Sequence, residues 1–434
     1  MRKLGCAVLT ASLLVLWPGA APASASPATA VLAGHVTRRV RISTRVGRVP
    51  SDENVSLSLV VNIDQDLMRS TLDGIYGPKA PRKKRFLTSA EFIEKFDIAR
   101  KRRVLKAYAE AAGLTVDPHD EPGSLVVKVS GPARLVEKAF GVQLNRYRAA
   151  NGQVFRGIES DPVVPAALAE DLHAVLGLTN YAGVAKPHFV RGKRISGGGG
   201  TAPSPASARP SSTQCENTDP ISCPGSGPGG ALSPADIRSI YGLSLPLTGA
   251  GQTVAVMELD GYAQSDITAY ETNTQLFATN PNVTVTWVPV DSQANTCGAY
   301  TGTTPYQNLA CNSTTEASDG GMDEVALDIE MVISLSSGVS SIRVYGALNS
   351  SQGILDAYAL IASNNSAKSV STSWGLDEID SGGAFMTSEA STFEQMAANG
   401  QTIYAAAGDA GAYDNDGVST PVALVTDDPA SQPY

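Results

Sequence analysis

The sequence predicts an α/β protein whose larger part is a doubly wound, mainly parallel sheet, preceded by a smaller α+β domain of ferredoxin-like type. Three observations carry that expectation. From Thr253 onward, short apolar runs of strand length alternate with helical patterns, the signature of parallel strands joined by crossover helices. In the first half the order is strand, helices, strand, helix, strand, a split β-α-β arrangement. Charge divides the chain between the two parts: only Arg238, Arg343 and Lys368 follow Ser233, out of 33 basic residues. The net charge of −9 therefore conceals a basic first part and an acidic second part, which attract each other as folded bodies. Protonating carboxylates would loosen that attraction.

The chain opens with Arg2 and Lys3, an apolar run through Trp17 and the small-residue site Ala23-Ser24-Ala25. This pattern is a secretory signal over residues 1–25, and it places the mature protein outside the cell. Cys6 leaves with the signal, and the remaining Cys215, Cys223, Cys297 and Cys311 form an even set that favours disulfides in an exported chain. Three connectivities are open, of which 215 with 223 and 297 with 311 joins nearest neighbours. No later segment has the apolar length of a membrane span, so no membrane contact is expected after signal removal.

Residues 26–183 form the first domain. Val55 to Val61 alternates as a strand, Asp64 to Leu72 is a helix and Ser89 to Ala112 carries helical spacing. Leu125 to Val129 is a strand, Pro132 to Phe140 a helix begun by proline, and Val142 to Tyr147 a closing strand. The run Arg82-Lys83-Lys84-Arg85 has no interleaved aromatics, so it reads as a solvated loop and not as a nucleic-acid contact. Residues 184–232 collapse into Gly, Ser, Pro, Ala and Thr, a flexible linker in which Lys193-Arg194 offers a site for maturation cleavage.

Residues 233–434 hold the parallel sheet. Strands are expected at Thr253 to Leu259, Val283 to Val288, Ile342 to Tyr345, Ser369 to Ser373 and Thr402 to Ala406. Helices are expected near Ser265 to Phe277, Glu324 to Ser336, Ser351 to Ser363 and Ser388 to Asn399. Such sheets bind ligands beyond the carboxyl ends of their strands. Glu258, Ser373-Trp374-Gly375 and Gly408-Asp409-Ala410-Gly411 stand at three such ends.

The helix from Asp323 to Leu335 carries the chemistry. Glu324 and Asp328 lie one turn apart on the face shared with Met331, Val332 and Leu335. Two like charges at this spacing weaken a helix, and burying them costs far more unless protons or partners intervene. Either they lie on a solvated acidic face or they share protons, with one member acting as a base. Asp323 and Glu330 fall on a different face and are assigned to solvent. Helix geometry spreads the four acids around the barrel, which argues against a calcium cluster. All four histidines, His35, His119, His173 and His188, precede the acidic domain, so no Ser-His-Asp triad can form within it. A base there is a carboxylate, which implies an acidic working range.

These residues resemble the sedolisins, or serine-carboxyl peptidases, including kumamolisin-like enzymes, over about Val55 to Tyr434. The first half is similar to their activation prodomain through Tyr76-Gly77, Phe86-Leu87-Thr88-Ser89-Ala90-Glu91-Phe92 and Val136-Glu137-Lys138-Ala139-Phe140-Gly141. The second follows through Ser233-Pro234-Ala235-Asp236-Ile237-Arg238, Tyr241-Gly242, Glu324-Val325-Ala326-Leu327-Asp328, Ser373-Trp374-Gly375, Ala407-Gly408-Asp409 and Pro429-Ala430-Ser431. The resemblance implies a subtilisin-like fold, polypeptide substrates, and a prodomain bound to the catalytic domain before maturation. It gives Glu324 the role of base toward a serine nucleophile, Asp328 that of the carboxylate behind it, and Asp409 that of the oxyanion-hole acid. Glu258, Ser373, Trp374 and Gly375 become supporting and substrate-binding residues. The family's Ser-Gly-Thr-Ser nucleophile motif does not occur in these 434 residues. Its C-terminal calcium site is likewise expected to lie outside them, with no metal ligands in this chain. The expected function is thus a secreted zymogen of an acid-acting serine endopeptidase, here the prodomain and the N-terminal part of the catalytic domain. The alternative is a non-catalytic secreted binding protein on a degenerate peptidase scaffold.

Overall fold

The computed structural model describes residues 28–119, 121–182, 186–187, 225–226, 232–243, 247–295, 320–409, 411–413 and 424–434, with 186–187 and 320 described by backbone alone. The signal, most of the linker and all four remaining cysteines of the disulfide expectation lie outside the described residues.

The first domain is built on a four-stranded antiparallel sheet of Asn54–Val61 (β1), Thr115–Val116 (β2), Val126–Pro132 (β3) and Leu172–Leu176 (β4), in the order β2-β3-β1-β4. Gln65–Tyr76 (α1), capped by the Asp64 carboxylate on Leu67 N–H at 2.9 Å, follows β1. The long helical pattern ending at Ala112 is two helices, Ser89–Lys95 (α2) and Ile98–Ala111 (α3). Asp97 between them takes a left-handed conformation (φ 54°) that no continuous helix contains. Ala133–Phe140 (α4) follows β3, with Pro132 as its N-cap.

The closing strand differs from expectation. Residues 145–148 form a strand, but it joins a separate three-stranded sheet between Thr44–Arg48 and Val154–Gly157. The edge position beside β1 belongs to β4, whose sequence Leu-His-Ala-Val-Leu breaks the alternation that would have announced it.

In the acidic part all five expected strands form, and all pair in parallel. They are Thr253–Glu258 (β6), Thr284–Pro289 (β7), Ser341–Gly346 (β8), Ser369–Thr372 (β9) and Thr402–Ala405 (β11), ordered β7-β8-β6-β9-β11. Three shorter strands make a second, antiparallel sheet: Lys186–Pro187 (β5), Trp374–Asp377 (β10) and Asp427–Asp428 (β12), with β10 in the middle. The helices are Gln264–Glu271 (α5), Gly320–Leu335 (α6), Ser351–Asn364 (α7), Glu378–Ser381 (α8) and Gly383–Ala398 (α9). The crossovers β6-α5-β7 and β7-α6-β8 run in opposite directions along the sheet, yet α5 and α6 pack together, with Tyr270 and Ser334 hydrogen-bonded between them. The two connections therefore have opposite hands, a departure from the usual single hand. No helix among the described residues is long and apolar enough to cross a membrane.

The two parts are packed together. Val60, Val126, Ala174 and Leu176 of the first share an apolar core with α7, α9 and the parallel sheet. Around that core, Tyr76 donates to Ala397 O at 2.9 Å, Leu87 N–H to Ala398 O at 2.8 Å and Gln395 Nε2 to Gly123 O at 2.9 Å. The charge complementarity read from the sequence is realised by Arg38 and Arg39 on Asp380, at 2.9 and 2.8 Å, and by Lys128 on Asp291. The expected loosening by acid does not hold at Asp356, which accepts from Ser58 Oγ at 2.9 Å and stands near Lys128. Burial pushes Asp356 well up, with the Asp291 charge adding. A raised carboxyl contributes stability that is full at low pH and is lost as pH rises, so acid favours the docked form at this group.

Candidate active site

The parallel sheet brings three chain segments to one rim. Central strand β6 ends on Glu258, neighbouring β9 runs out through Ser373 into β10, and α6 carries Glu324 and Asp328 alongside. The helix sits there because Val325, Ile329 and Ile333 form a fully buried stripe that packs on the sheet. Glu324, one position before that stripe, is carried inward with it and is 1% exposed. The solvated-face reading is thereby overturned for Glu324.

Glu258 is 0% exposed, and Trp374 Nε1 donates to its Oε2 at 2.9 Å. Ser373 Oγ donates to Asp328 Oδ1 at 2.7 Å. The other oxygens, Glu258 Oε1 and Asp328 Oδ2, are buried without a donor, and the two carboxyls lie within hydrogen-bonding reach of each other. Two acceptors can bond only through a proton, so a bond within this pair would need one. Burial pushes Glu258 well above the usual carboxylate range, the Asp328 charge adding and the Trp374 hydrogen bond opposing. Asp328 is pushed up by burial, with Ser373 donation opposing.

The carboxyl within reach of Asp328 is that of Glu258, 70 positions earlier, a neighbour that helical spacing did not suggest. Glu324 acts on the pair as a nearby charge that raises Glu258 further. Glu330 also departs from its assignment to solvent: burial, then Asp266, pushes it up to about 7. Asp409 lies on the turn after β11 with an exposed side chain, and no hydrogen bond ties it to Glu258, Glu324 or Asp328.

Ser373, Trp374 and Gly375 line the approach to these acids. Strand β10 begins there, and β5, the one described strand of the linker, pairs antiparallel with it in the register Lys186 to Gly375 and Pro187 to Trp374. An extended chain therefore already occupies the edge of β10 and lies against α6. Among the described residues no three His, Cys, Asp or Glu side chains converge to hold a metal ion.

Residues 42–181 match the family described as Pro-kumamolisin, activation domain. The chain is 31% identical over 416 residues to kumamolisin of Bacillus sp. (strain MN-32), covering 93% of this chain and 65% of that protein. It is 25% identical over 366 residues to xanthomonalisin of Xanthomonas sp. (strain T-22), covering 80% of this chain and 38% of the relative. With sedolisin of Pseudomonas sp. (strain 101) the identity is 24% over 338 residues, covering 76% of this chain and 49% of the relative. The chain thus spans between about two fifths and two thirds of the length of these relatives. The matched activation domain and the alignment to these three relatives support reading the chain as a sedolisin-family precursor.

Proposed function

We propose that the chain is the prodomain and the acid-base half of a secreted serine endopeptidase that works in acid. The nucleophile would come from a segment other than these 434 residues. The observation that carries this reading is the group formed by buried Glu258 and Glu324 with half-buried Asp328 at the carboxyl ends of β6 and β9, beside a strand that takes an extended chain antiparallel. Glu324 takes the serine proton. Asp328, held by Ser373 and by the proton shared with Glu258, stands behind it and limits how the helix acids ionise. A carboxylate base works near its own pKa, so turnover belongs at acidic pH. Asp409 serves as the oxyanion-hole donor, through a carboxyl hydrogen aimed at the developing oxyanion.

Strand pairing on β10 is the substrate mode, since main-chain hydrogen bonds to an open strand edge bind any extended polypeptide. Residues 186–187 hold that edge in the precursor, so the prodomain and its linker keep substrate away until the linker is cut. We read the first domain as ferredoxin-like, which its strand order supports, and the second as subtilisin-like. Export through residues 1–25 completes the proposal.

The test is peptide hydrolysis by the natural precursor after acid treatment, with and without Glu324→Gln. Cleavage in acid that falls about 10²-fold or more in the variant supports the reading. Tight peptide binding on β10 without cleavage would instead identify a binding protein on this scaffold.

A further inference from the structure

Behind β10 lies a second buried acid pair that the mechanism above leaves unused. Glu389 on α9 is 1% exposed and Asp428 in β12 is 2% exposed. Their carboxyls are within hydrogen-bonding reach of each other, and Glu389 Oε2 is buried with no donor of its own. Neither acid has a Lys or Arg within ion-pair distance among the described residues. The groups facing them are the Tyr358 hydroxyl from α7, Ser381 at the end of α8, Gln432, and Asp427 beside Asp428. Among the described residues no cation offsets the two charges, so a proton is what can join them.

The pair holds a particular piece of chain. Asp428 Oδ1 accepts from Gln432 Nε2 at 2.6 Å, and the same amide reaches Met386 O on α9 at 3.4 Å. Glu378 N–H donates to Thr426 O at 3.1 Å, and β12 pairs with β10 in the register Leu376 to Asp428 and Asp377 to Asp427. One edge of β10 is thus fixed by residues 426–428, and its other edge receives the extended chain of β5. Whatever anchors residues 427–434 to α9 also sets where that receiving edge lies.

We propose that Glu389 is a positioning residue for the substrate-receiving strand: a proton held between Glu389 and Asp428 pins residues 427–434 onto α9 and thereby fixes Trp374–Asp377 from behind. The proposal rests on reading β10 as the substrate strand. Burial pushes Glu389 well up, the Asp428 charge adding, and burial also raises Asp428. For raised carboxyls the stabilisation is full in acid and is lost as pH rises through the folded-state values. The receiving edge is therefore firm in acid and loosens toward alkaline pH.

The test is hydrogen-deuterium exchange of the full chain, corrected for intrinsic rates, in peptides covering 374–381 and 427–434 as pH is raised from acid to neutral. In the native sequence, protection in both peptides falls together by roughly tenfold or more, as the loss of one buried charge-assisted hydrogen bond implies. Glu389→Gln supplies an amide donor to Asp428 that needs no proton, so protection persists to neutral pH, and Asp428→Asn gives the converse rescue. Glu389→Ala loses protection already in acid. A Glu389→Gln protein that follows the native pH course, or a native chain whose two peptides show no pH-dependent loss, overturns the proposal. The readout involves no turnover, so its failure leaves the peptidase reading standing, and an inactive enzyme leaves the clamp standing.

Discussion

At the scale of single residues, the site depends on which carboxyl keeps a proton. Glu258→Gln places a neutral hydrogen-bond donor beside Asp328 at every pH, imitating the protonated Glu258. In the pH-rate profile of the enzyme, the fall on the alkaline side should move up or flatten, and an unchanged profile would show that the Glu258 proton has no part in turnover. Ser373→Ala acts in the opposite direction. It removes the 2.7 Å donation that favours ionised Asp328, so Asp328 is pushed further up. The loss of a hydrogen bond to a charged group is worth about 1.5–3 kcal/mol, which predicts a fall in kcat of roughly 10- to 100-fold with KM little changed. A rise in KM alone would make Ser373 a substrate contact.

At the scale of elements, α6 and the ends of the parallel strands must be rigid for these acids to meet. Ile329→Ala empties a fully buried position under the helix and should cost about 2–5 kcal/mol in denaturant unfolding. Gly346 closes β8 where the Trp287 ring lies so near that an added Cβ would fall 1.8 Å from it. Gly346→Ala should therefore displace Trp287, visible as a change in its fluorescence, and destabilise by about 1–3 kcal/mol.

Legibility from sequence followed the same scale. The five parallel strands were readable because each is buried on both faces and so appears as a local apolar run. Glu324 and Asp328 were readable because helical spacing is local as well. Leu172–Leu176, Trp374–Asp377 and Asp427–Asp428 were missed, being short strands defined by partners far along the chain. The pairings of Glu258 with Asp328 and of Glu389 with Asp428 are tertiary in the same way, and no periodicity announces them. The break at Asp97 is a backbone choice that helical spacing cannot reveal.

At the scale of the molecule, the docked prodomain responds to pH through groups of opposite sign. Asp356 favours docking in acid, and His35 acts in the opposite direction. Its Nδ1 donates to Leu32 O at 2.8 Å and its Nε2 accepts from Val175 N–H at 3.0 Å, and the acceptance at Nε2 requires the neutral ring. Burial lowers His35, His173 also lowering it and Asp161 opposing. A lowered histidine contributes stability that is full above its unfolded value near 6.5 and is lost as pH falls through the folded one. Gly34, next in the chain, accepts from Ala384 N–H at the start of α9, so the strain of charging His35 falls on the interface. His35→Gln, which keeps one donor and one acceptor without a titrating ring, should shift the acid loss of prodomain protease resistance to lower pH by about one unit. An unchanged midpoint would show that His35 has no part in the acid response.

The most direct measurement is the rate of peptide cleavage in acid by the mature enzyme carrying Glu324→Gln, beside a Glu330→Gln control on the same helix. The first substitution should abolish turnover while the fold and peptide binding persist, and the second should leave turnover within a few-fold of native. Substantial cleavage by the Glu324→Gln enzyme would show that Glu324 is not the base.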